Sequence, residues 1–514
     1  MDYGAIVIGA GHNGLICAAY LARAGIPTLL VEARAEVGGC ASTVDALGAR
    51  VNICNCDHVV FRTTPVIDEL DLASHGLVYL DVEPAQVQAS WNGEAAWPVF
   101  HEVERTIDAL ELIHPDEVDG YRRYADAAVP VAELILEMAC MPPTPGGVLK
   151  RLAHRRARGV ATLLRWSRLT AADVLRAFFS REVIMGPAVT TGPAVGGLSP
   201  FAPHTGLGAL TYAMKHAGST GRPVGGSGAV PASILAAFVA AGGELRTSSR
   251  VAGILCEGDH IRGVELAGGE VVEAPLVVSA CDPRETLVTW VRDAPPAARP
   301  LIDHWRKSEV QEGYESKVDA VISSIPRFRS LDQRQFTQLG VDEPAIATTI
   351  VSPSLTEIAA AHRLADDGRV ADRPMFFVNL PSVLDESMRV GGDHLLSLET
   401  LYTPYGLQGG WETSNEPERW LQRFASLVDG DFERAVMRWR AMTPPTYERE
   451  FNLPHGHATG FGGSPLSAML GRHPELTRYE TPIKGLYLTG AATYPGAGVW
   501  GASGRNAATV ILRG

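Results

Sequence analysis

The sequence predicts an α/β fold in two interleaved parts. Three observations predict it. The first is a strand, a glycine-rich turn, a helix and a second strand within residues 3–32. The second is another strand running into a glycine turn at 484–508. The third is a set of strand candidates between 318 and 401 that suits one antiparallel sheet.

Tyr3 to Ile8 is a short apolar run and reads as a buried strand. Gly9-Ala10-Gly11-His12-Asn13-Gly14 follows at once, and Leu15 to Ala22 carries a helical pattern stopped by Gly25 and Pro27. Thr28 to Val31 is the second strand, with Glu32 at its end. In such a turn Gly9 permits the tight bend, Gly11 lets backbone approach a pyrophosphate, and Gly14 lets helix and strand pack closely. Free N–H groups and the helix dipole favour an anion at the helix start. Glu32, eighteen residues after Gly14, is placed to bond ribose hydroxyls. An acid there argues against a 2′-phosphate, and so against NADP.

Ala33 and Arg34 follow, then Gly38-Gly39-Cys40-Ala41-Ser42, which adds backbone N–H groups and a hydroxyl to the same surface. The run from Gly9 to Ser42 resembles the two-dinucleotide-binding flavoproteins, in which FAD occupies this site. The resemblance implies that Glu32 binds the adenosine ribose. It implies that Gly38 and Gly39 run beside the pyrophosphate and flavin, with Ala33, Arg34 and Ser42 at the same site.

Farther on, Leu77 to Val82 and Gln86 to Trp91 are strand candidates, and helices are expected near Glu102 and near His114-Pro115-Asp116-Glu117. Residues 150–168 collect Lys150, Arg151, Arg155, Arg156, Arg158, Arg165 and Arg168 without an acid, among Leu152, Val160, Leu163, Leu164 and Trp166. Two readings stand: a solvated helix, or a basic amphipathic surface for an anionic membrane. Val183 to Met214 has no charged residue, but Pro187, Pro193, Pro200 and Pro203 exclude a spanning helix. It reads either as interior packing or as a substrate tunnel lined by Phe201, His204, Leu207 and Tyr212.

Arg222 to Pro231 imitates a second phosphate loop, yet no strand is expected before it and Pro231 takes the third-glycine place. A helix is expected over 231–241, then strands over 244–251, 253–257, 261–266 and 271–280. This meander also resembles the flavoprotein family, and the likeness implies that Val251 contacts the adenine through its backbone and that Ala280 lies near the same cofactor. Strands follow at 318–323, 345–351, 375–380 and 394–401, and 416–442 reads as a charged helical region with Trp420, Leu421, Phe424 and Leu427 as an inward stripe.

Lys484 to Ala492 is a buried strand entering a small-residue turn, and Tyr494 to Ala508 opens a helix, so a second anion cradle stands at the chain's other end. Here, with Pro381-Ser382-Val383-Leu384-Asp385, His455-Gly456-His457 and Gly471-Arg472-His473-Pro474, the chain resembles the phytoene-desaturase-related branch of FAD-dependent oxidoreductases. The resemblance implies that Gly490 and Ala491 touch the pyrophosphate and that Gly498, Val499 and Trp500 approach the flavin. Ala497 stands where a glycine is common.

Lys+Arg 45 against Asp+Glu 58 gives a net charge of −13, which does not indicate a nucleic-acid partner. Seven cysteines without a CxxC pair read as ordinary thiols, although Cys54, Cys56 and His58 cluster, and no metal is expected. The first strand starts at Tyr3, so a cytoplasmic location is expected, with the membrane surface as an option. The expected domains are a discontinuous Rossmann-like FAD-binding domain (1–80, 215–295 and 455–514) and an interleaved α+β substrate domain with a helical lid (81–214 and 296–454). The leading expectation is dehydrogenation of a lipophilic, carotenoid-like or other apolar substrate, with dioxygen or a quinone as electron acceptor. Redox-neutral isomerisation, saturation, and a flavin-free lipid-binding scaffold are the rivals. His204, His455, His457 and Tyr494 are candidate proton carriers, and none is assigned.

Overall fold

The first strand, Ala5–Ile8, lies in the middle of a five-stranded parallel sheet assembled from distant parts of the chain. A computed structural model describes residues 3–54, 57–144, 146–147, 158–342, 346–457, 460–461, 467–468 and 470–513. The strand order is Leu486–Leu488, Val277–Ser279, Ala5–Ile8, Thr28–Val31 and Glu244–Arg246. Every neighbouring pair is parallel. The central strands are buried along their whole length, as expected of a sheet covered on both faces. The first helix, His12–Arg23, packs on one side against Ala229–Ala240 and the C-terminal helix Ala502–Ile511. A smaller four-stranded sheet, centred on Val251–Glu257 and His260–Leu266, covers the other side through Ile6, Ile8, Val31, Val251 and Ile254.

The expected strand 244–251 is broken in two. Ser248 takes a left-handed backbone, and Ser248 and Ser249 donate to the carbonyls of Arg34 and Glu32 as the chain crosses between sheets. The run 271–280 divides at Pro275 for the same reason, half in each sheet. A short strand, Gly221–Pro223, does precede the 222–231 loop, contrary to expectation.

The second large sheet has seven strands in the order Val436–Met442, Glu315–Ile322, His394–Leu401, Phe376–Asn379, Thr348–Ser352, Gln86–Ser90 and Trp97–Val99. It is antiparallel except where Gln86–Ser90 joins Thr348–Ser352 in parallel, because that strand arrives from an earlier part of the chain. The helical reading of 416–442 holds over Glu416–Ala425, where Trp420, Leu421 and Phe424 are buried, but Val436–Met442 is an edge strand. Its alternation of charged and apolar residues suits a strand half open to solvent.

The uncharged segment is mainly interior. Glu182–Thr190 is a buried helix, and the Tyr212 hydroxyl donates to the Ile184 carbonyl inside an aromatic core with Trp97, Tyr121 and Tyr124. Phe201 and His204 face solvent instead, so the four expected tunnel residues do not meet. Lys150, Arg151, Leu152, Arg155 and Arg156 lie outside the described residues. In the rest of the basic run, the helix Val160–Trp166 turns Leu163 and Trp166 into the core and leaves Leu164 exposed. Among the described residues no helix is long and apolar enough to cross a membrane.

Candidate functional site

The glycine turn forms a cradle. Gly9 has φ +93°, and a Cβ at Gly14 would collide with the Gly9 carbonyl and lie 2.9 Å from the Ala280 Cβ. A Cβ at Gly11 would meet no atom within 4 Å. Gly14 is therefore required by packing, whereas Gly11 borders open space. Gly11 caps the first helix without any side-chain hydrogen bond, and the first turn holds no acid. Its first turn thus presents backbone N–H groups uncapped by a side chain, at the end where the helix dipole favours an anion.

Glu32 closes the far side. Its carboxylate accepts from the Ala10 N–H at 2.8 Å and from the Arg34 N–H at 2.9 Å, which fixes it at the end of the second strand. The Gly38 N–H donates to the Ala10 carbonyl at 2.8 Å, and Gly38 pairs with Gly11. Ala33 is half-buried beside them. Two neighbours are used differently from what the resemblance implies. The Ser42 hydroxyl donates to the Gly39 carbonyl at 2.7 Å, closing its own turn. The Arg34 guanidinium lies over the Phe451 ring, 4.3 Å from its centroid.

The two chain ends meet here. A Cβ at Gly504 would collide with the Asn13 carbonyl, and the Gly504 N–H donates to Asn13 Oδ1 at 3.3 Å. The starts of the first and last helices therefore sit side by side. The His12 ring hydrogen-bonds the Gly498 backbone, and burial pushes its pKa down to about 4, so it is neutral near pH 7. The Ala280 N–H donates to the Ile8 carbonyl, and Gly490, with φ +108°, packs on the Ala280 carbonyl. The Gly490 N–H donates to Ser503 Oγ at 3.1 Å, within a buried hydroxyl cluster with Thr489 and Thr493. Ala491 follows half-buried, and Val499 and Trp500 are half-buried at the mouth of the same region. The expected helix begins only at Ala502, because the positive φ angles of Gly496, Gly498 and Gly501 hold 494–501 as a turn. Val251 packs in the core between the parallel and the smaller sheet, in one cluster with Ile8 and Val31, which directly precede Gly9 and Glu32.

The imitation loop is filled by the protein itself. The Gly225 N–H donates to an Asp385 carboxylate at 2.6 Å, the Ser227 N–H to Asn52 Oδ1, and the Gly228 N–H to Thr43 Oγ1. An acid sits where a phosphate would go. His58, which stood near the cysteines in sequence, spends its ring nitrogens on the Tyr79 hydroxyl at 2.7 Å and Ser227 Oγ at 2.9 Å. Burial lowers its pKa to about 3.

Facing the cradle is one side of the seven-stranded sheet, a surface that the sequence did not announce. Val318, Ala320 and Ile322 point to the opposite, apolar side. Glu315, Lys317 and Asp319 alternate with them, and the register sets Glu399 directly across from Lys317. Lys317 Nζ contacts Asp319 at 2.8 Å and donates to the Asn52 carbonyl, on the strand Ala49–Asn52 that follows the Gly38–Gly39 loop. Charged residues at every second position of an otherwise apolar strand were the signal available. Of the candidate proton carriers, His204 is exposed and remote. Burial lowers the pKa of His457, whose ring lies 5.6 Å from Tyr314, next to Glu315.

A model of flavin containing amine oxidoreductases matches residues 98–327, and one of NAD(P)-binding Rossmann-like domains matches residues 7–65. The chain is 27% identical over 555 residues to the rat pyridine nucleotide-disulfide oxidoreductase domain-containing protein 2, covering 100% of this chain and 94% of that protein. It is 25% identical over 529 residues to a limonene dehydrogenase polypeptide of Castellaniella defragrans, covering 99% and 94%. It is 25% identical over 533 residues to a lycopene-forming phytoene desaturase of a Paracoccus strain, covering 98% and 96%. Among solved structures, an oxidoreductase from Methanosarcina mazei superposes with a TM-score of 0.61 at 15% identity, covering 99% of this chain and 100% of that one. Putrescine oxidase bound to putrescine does so with 0.61 at 15% identity, covering 100% and 99%. These two likenesses concern the fold.

Proposed function

The chain is a phytoene-desaturase-like, FAD-dependent oxidoreductase of the flavin amine-oxidase kind, and from that premise we propose that it dehydrogenates a lipophilic substrate, carotenoid-like or otherwise largely apolar, by hydride transfer to flavin N5. Lycopene-forming phytoene desaturases that match nearly the whole chain support the substrate class. The observation that carries the reading is the meeting of two helix starts, at Gly11 and Gly504, around an open cradle bounded by Glu32.

FAD, when bound, supplies a two-electron acceptor. In the proposal the leading N–H groups of the first helix hold its diphosphate, and Glu32 accepts from the ribose. Gly38, Gly39 and Gly490 let backbone run close, and Gly498 to Trp500 border the ring. The chain's main contribution to breaking an unactivated C–H bond is alignment with water excluded. Neutral His12 adds no charge beside the cradle. Dioxygen or a quinone then takes the electrons onward. Contact with an anionic membrane through 150–168 belongs to the same proposal, and co-sedimentation with anionic against neutral vesicles tests it.

Anaerobic titration of the yellow holoenzyme with a panel of lipophilic compounds decides the reaction type. Lasting bleaching by one compound, with a desaturated product, is expected. Conversion without lasting bleaching would mean isomerisation and overturn net oxidation.

A further inference from the structure

Dehydrogenation gives up a proton as well as a hydride, and the sheet face opposite the cradle holds a device that fits it. Glu315 and Glu399 stand diagonally on neighbouring strands of one face, two residues apart in register, within electrostatic reach of each other. The same face meets the strand Ala49–Asn52, downstream of the Gly38–Gly39 loop, through Lys317 on the Asn52 carbonyl and through Val321 packed beside Val51. One step along, Cys40, the residue after Gly38-Gly39, lies within electrostatic reach of Glu315 and Arg34. Both glutamates are desolvated yet keep accessible surface, as side chains facing an internal space do.

We propose that Glu315 and Glu399 hold one proton between them at neutral pH and take up the proton that the substrate releases on dehydrogenation. The inference rests on the reading of the protein as a dehydrogenase. In the step, a substrate C–H bond breaks and its electron pair becomes the new π bond as the hydride leaves the adjacent carbon for the two-electron acceptor that FAD would supply, and the proton forms an O–H bond on the pair's free carboxylate.

The surroundings favour such a pair. Burial is the main cause that raises both carboxyls; the charge of Glu315 adds to the rise of Glu399, bringing it to about 8, while the interaction with Glu399 opposes the rise of Glu315. Lys317 opposes the rise but is engaged by Asp319, which also meets Arg440 at 3.2 Å. The other groups packed near are the Cys40 and Cys54 thiols, Tyr447 and Tyr314. Burial raises Tyr447 and Tyr314 strongly, so both stay neutral at pH 7. The charge of one carboxylate disfavours ionisation of the other, so the pair titrates as a unit.

Infrared spectroscopy of the holoenzyme tests the proton directly. A protonated-carboxyl band is expected at pH 7, titrating near pH 8, lost in the E315Q/E399Q double variant and growing on anaerobic reduction by substrate. In E399Q, with FAD content and melting temperature unchanged, flavin reduction is expected to slow by at least about 100-fold, the usual worth of a positioned proton acceptor. Absence of the band above pH 6, or wild-type reduction rates in E399Q from pH 6 to 9, overturns the inference while leaving dehydrogenation intact. A band that is present but fails to grow when a substrate bleaches the flavin overturns the uptake step. Failure of every compound to bleach the flavin counts against the dehydrogenase reading and leaves the infrared result at rest to decide the shared proton.

Discussion

At the scale of single residues, the two glycines of the turn do different work, and substitution separates them. Gly14→Ala drives a Cβ into the Gly9 carbonyl and costs stability, about 1–3 kcal/mol, read as a lowered midpoint in denaturant unfolding of the apoprotein. Gly11→Ala adds its Cβ to open space, so apoprotein stability stays near wild type while FAD affinity falls by at least about tenfold. Glu32→Gln keeps the shape and removes the charge proposed to bond the ribose, an interaction of about 1.5–3 kcal/mol, so FAD titration by flavin fluorescence should show a loss of about 10- to 100-fold. All three positions were legible in the sequence, because a glycine turn between strand and helix leaves few alternatives. Ser42 and Arg34 were legible only as members of the loop. Their side chains are drawn to the Gly39 carbonyl and to Phe451, and Phe451 lies over four hundred residues away.

At the scale of elements, the segment 57–58 and the strand Gly221–Pro223 lock the parallel sheet's surroundings to the seven-stranded sheet. Arg222, 2% exposed, pairs with Asp57 at 2.6 Å and reaches Asn379 Oδ1 and the Leu380 carbonyl. Removing the guanidinium by Arg222→Met takes the cation away from a buried carboxylate and should cost about 3–5 kcal/mol in equilibrium unfolding. His58 on the same segment gives a pH dependence. Its folded pKa of about 3 lies below its ordinary 6.5, so on acidification the unfolded chain binds a proton that the native chain refuses. Its contribution is fully present above pH 6.5 and is lost as pH falls toward 3, at up to about 1.4 kcal/mol per unit. The acid limb of unfolding free energy against pH should therefore be shallower by one proton in His58→Gln. None of this was visible along the chain, since the partners of Asp57 and His58 come from Tyr79, Arg222, Ser227 and Thr348.

At the scale of the whole molecule, the cradle joins both ends of the chain, so FAD binding and global stability are coupled. Reconstituting apoprotein with FAD at a hundred times its dissociation constant should add about 2.7 kcal/mol, seen as a melting temperature that rises with FAD concentration. The strands and helices of the parallel sheet could be read in advance because their patterns are local: apolar runs of strand length, glycine stops, and an acid at a fixed distance from the turn. The same local logic misread 416–442, where a charged apolar alternation forms an edge strand only because Glu315–Ile322 is there to pair with it. Sequence alone thus determined the dinucleotide fold and the two glycine-turn segments, since each depends on residues within about thirty positions of one another, while FAD as the cofactor followed from the resemblance to a flavoprotein family. Only the tertiary structure decided that the Arg222 loop is filled by Asp385, that Tyr212 is core, and that Glu315 and Glu399 stand together before the cradle. Those outcomes depend on which distant strand lies alongside, and no local pattern carries that information.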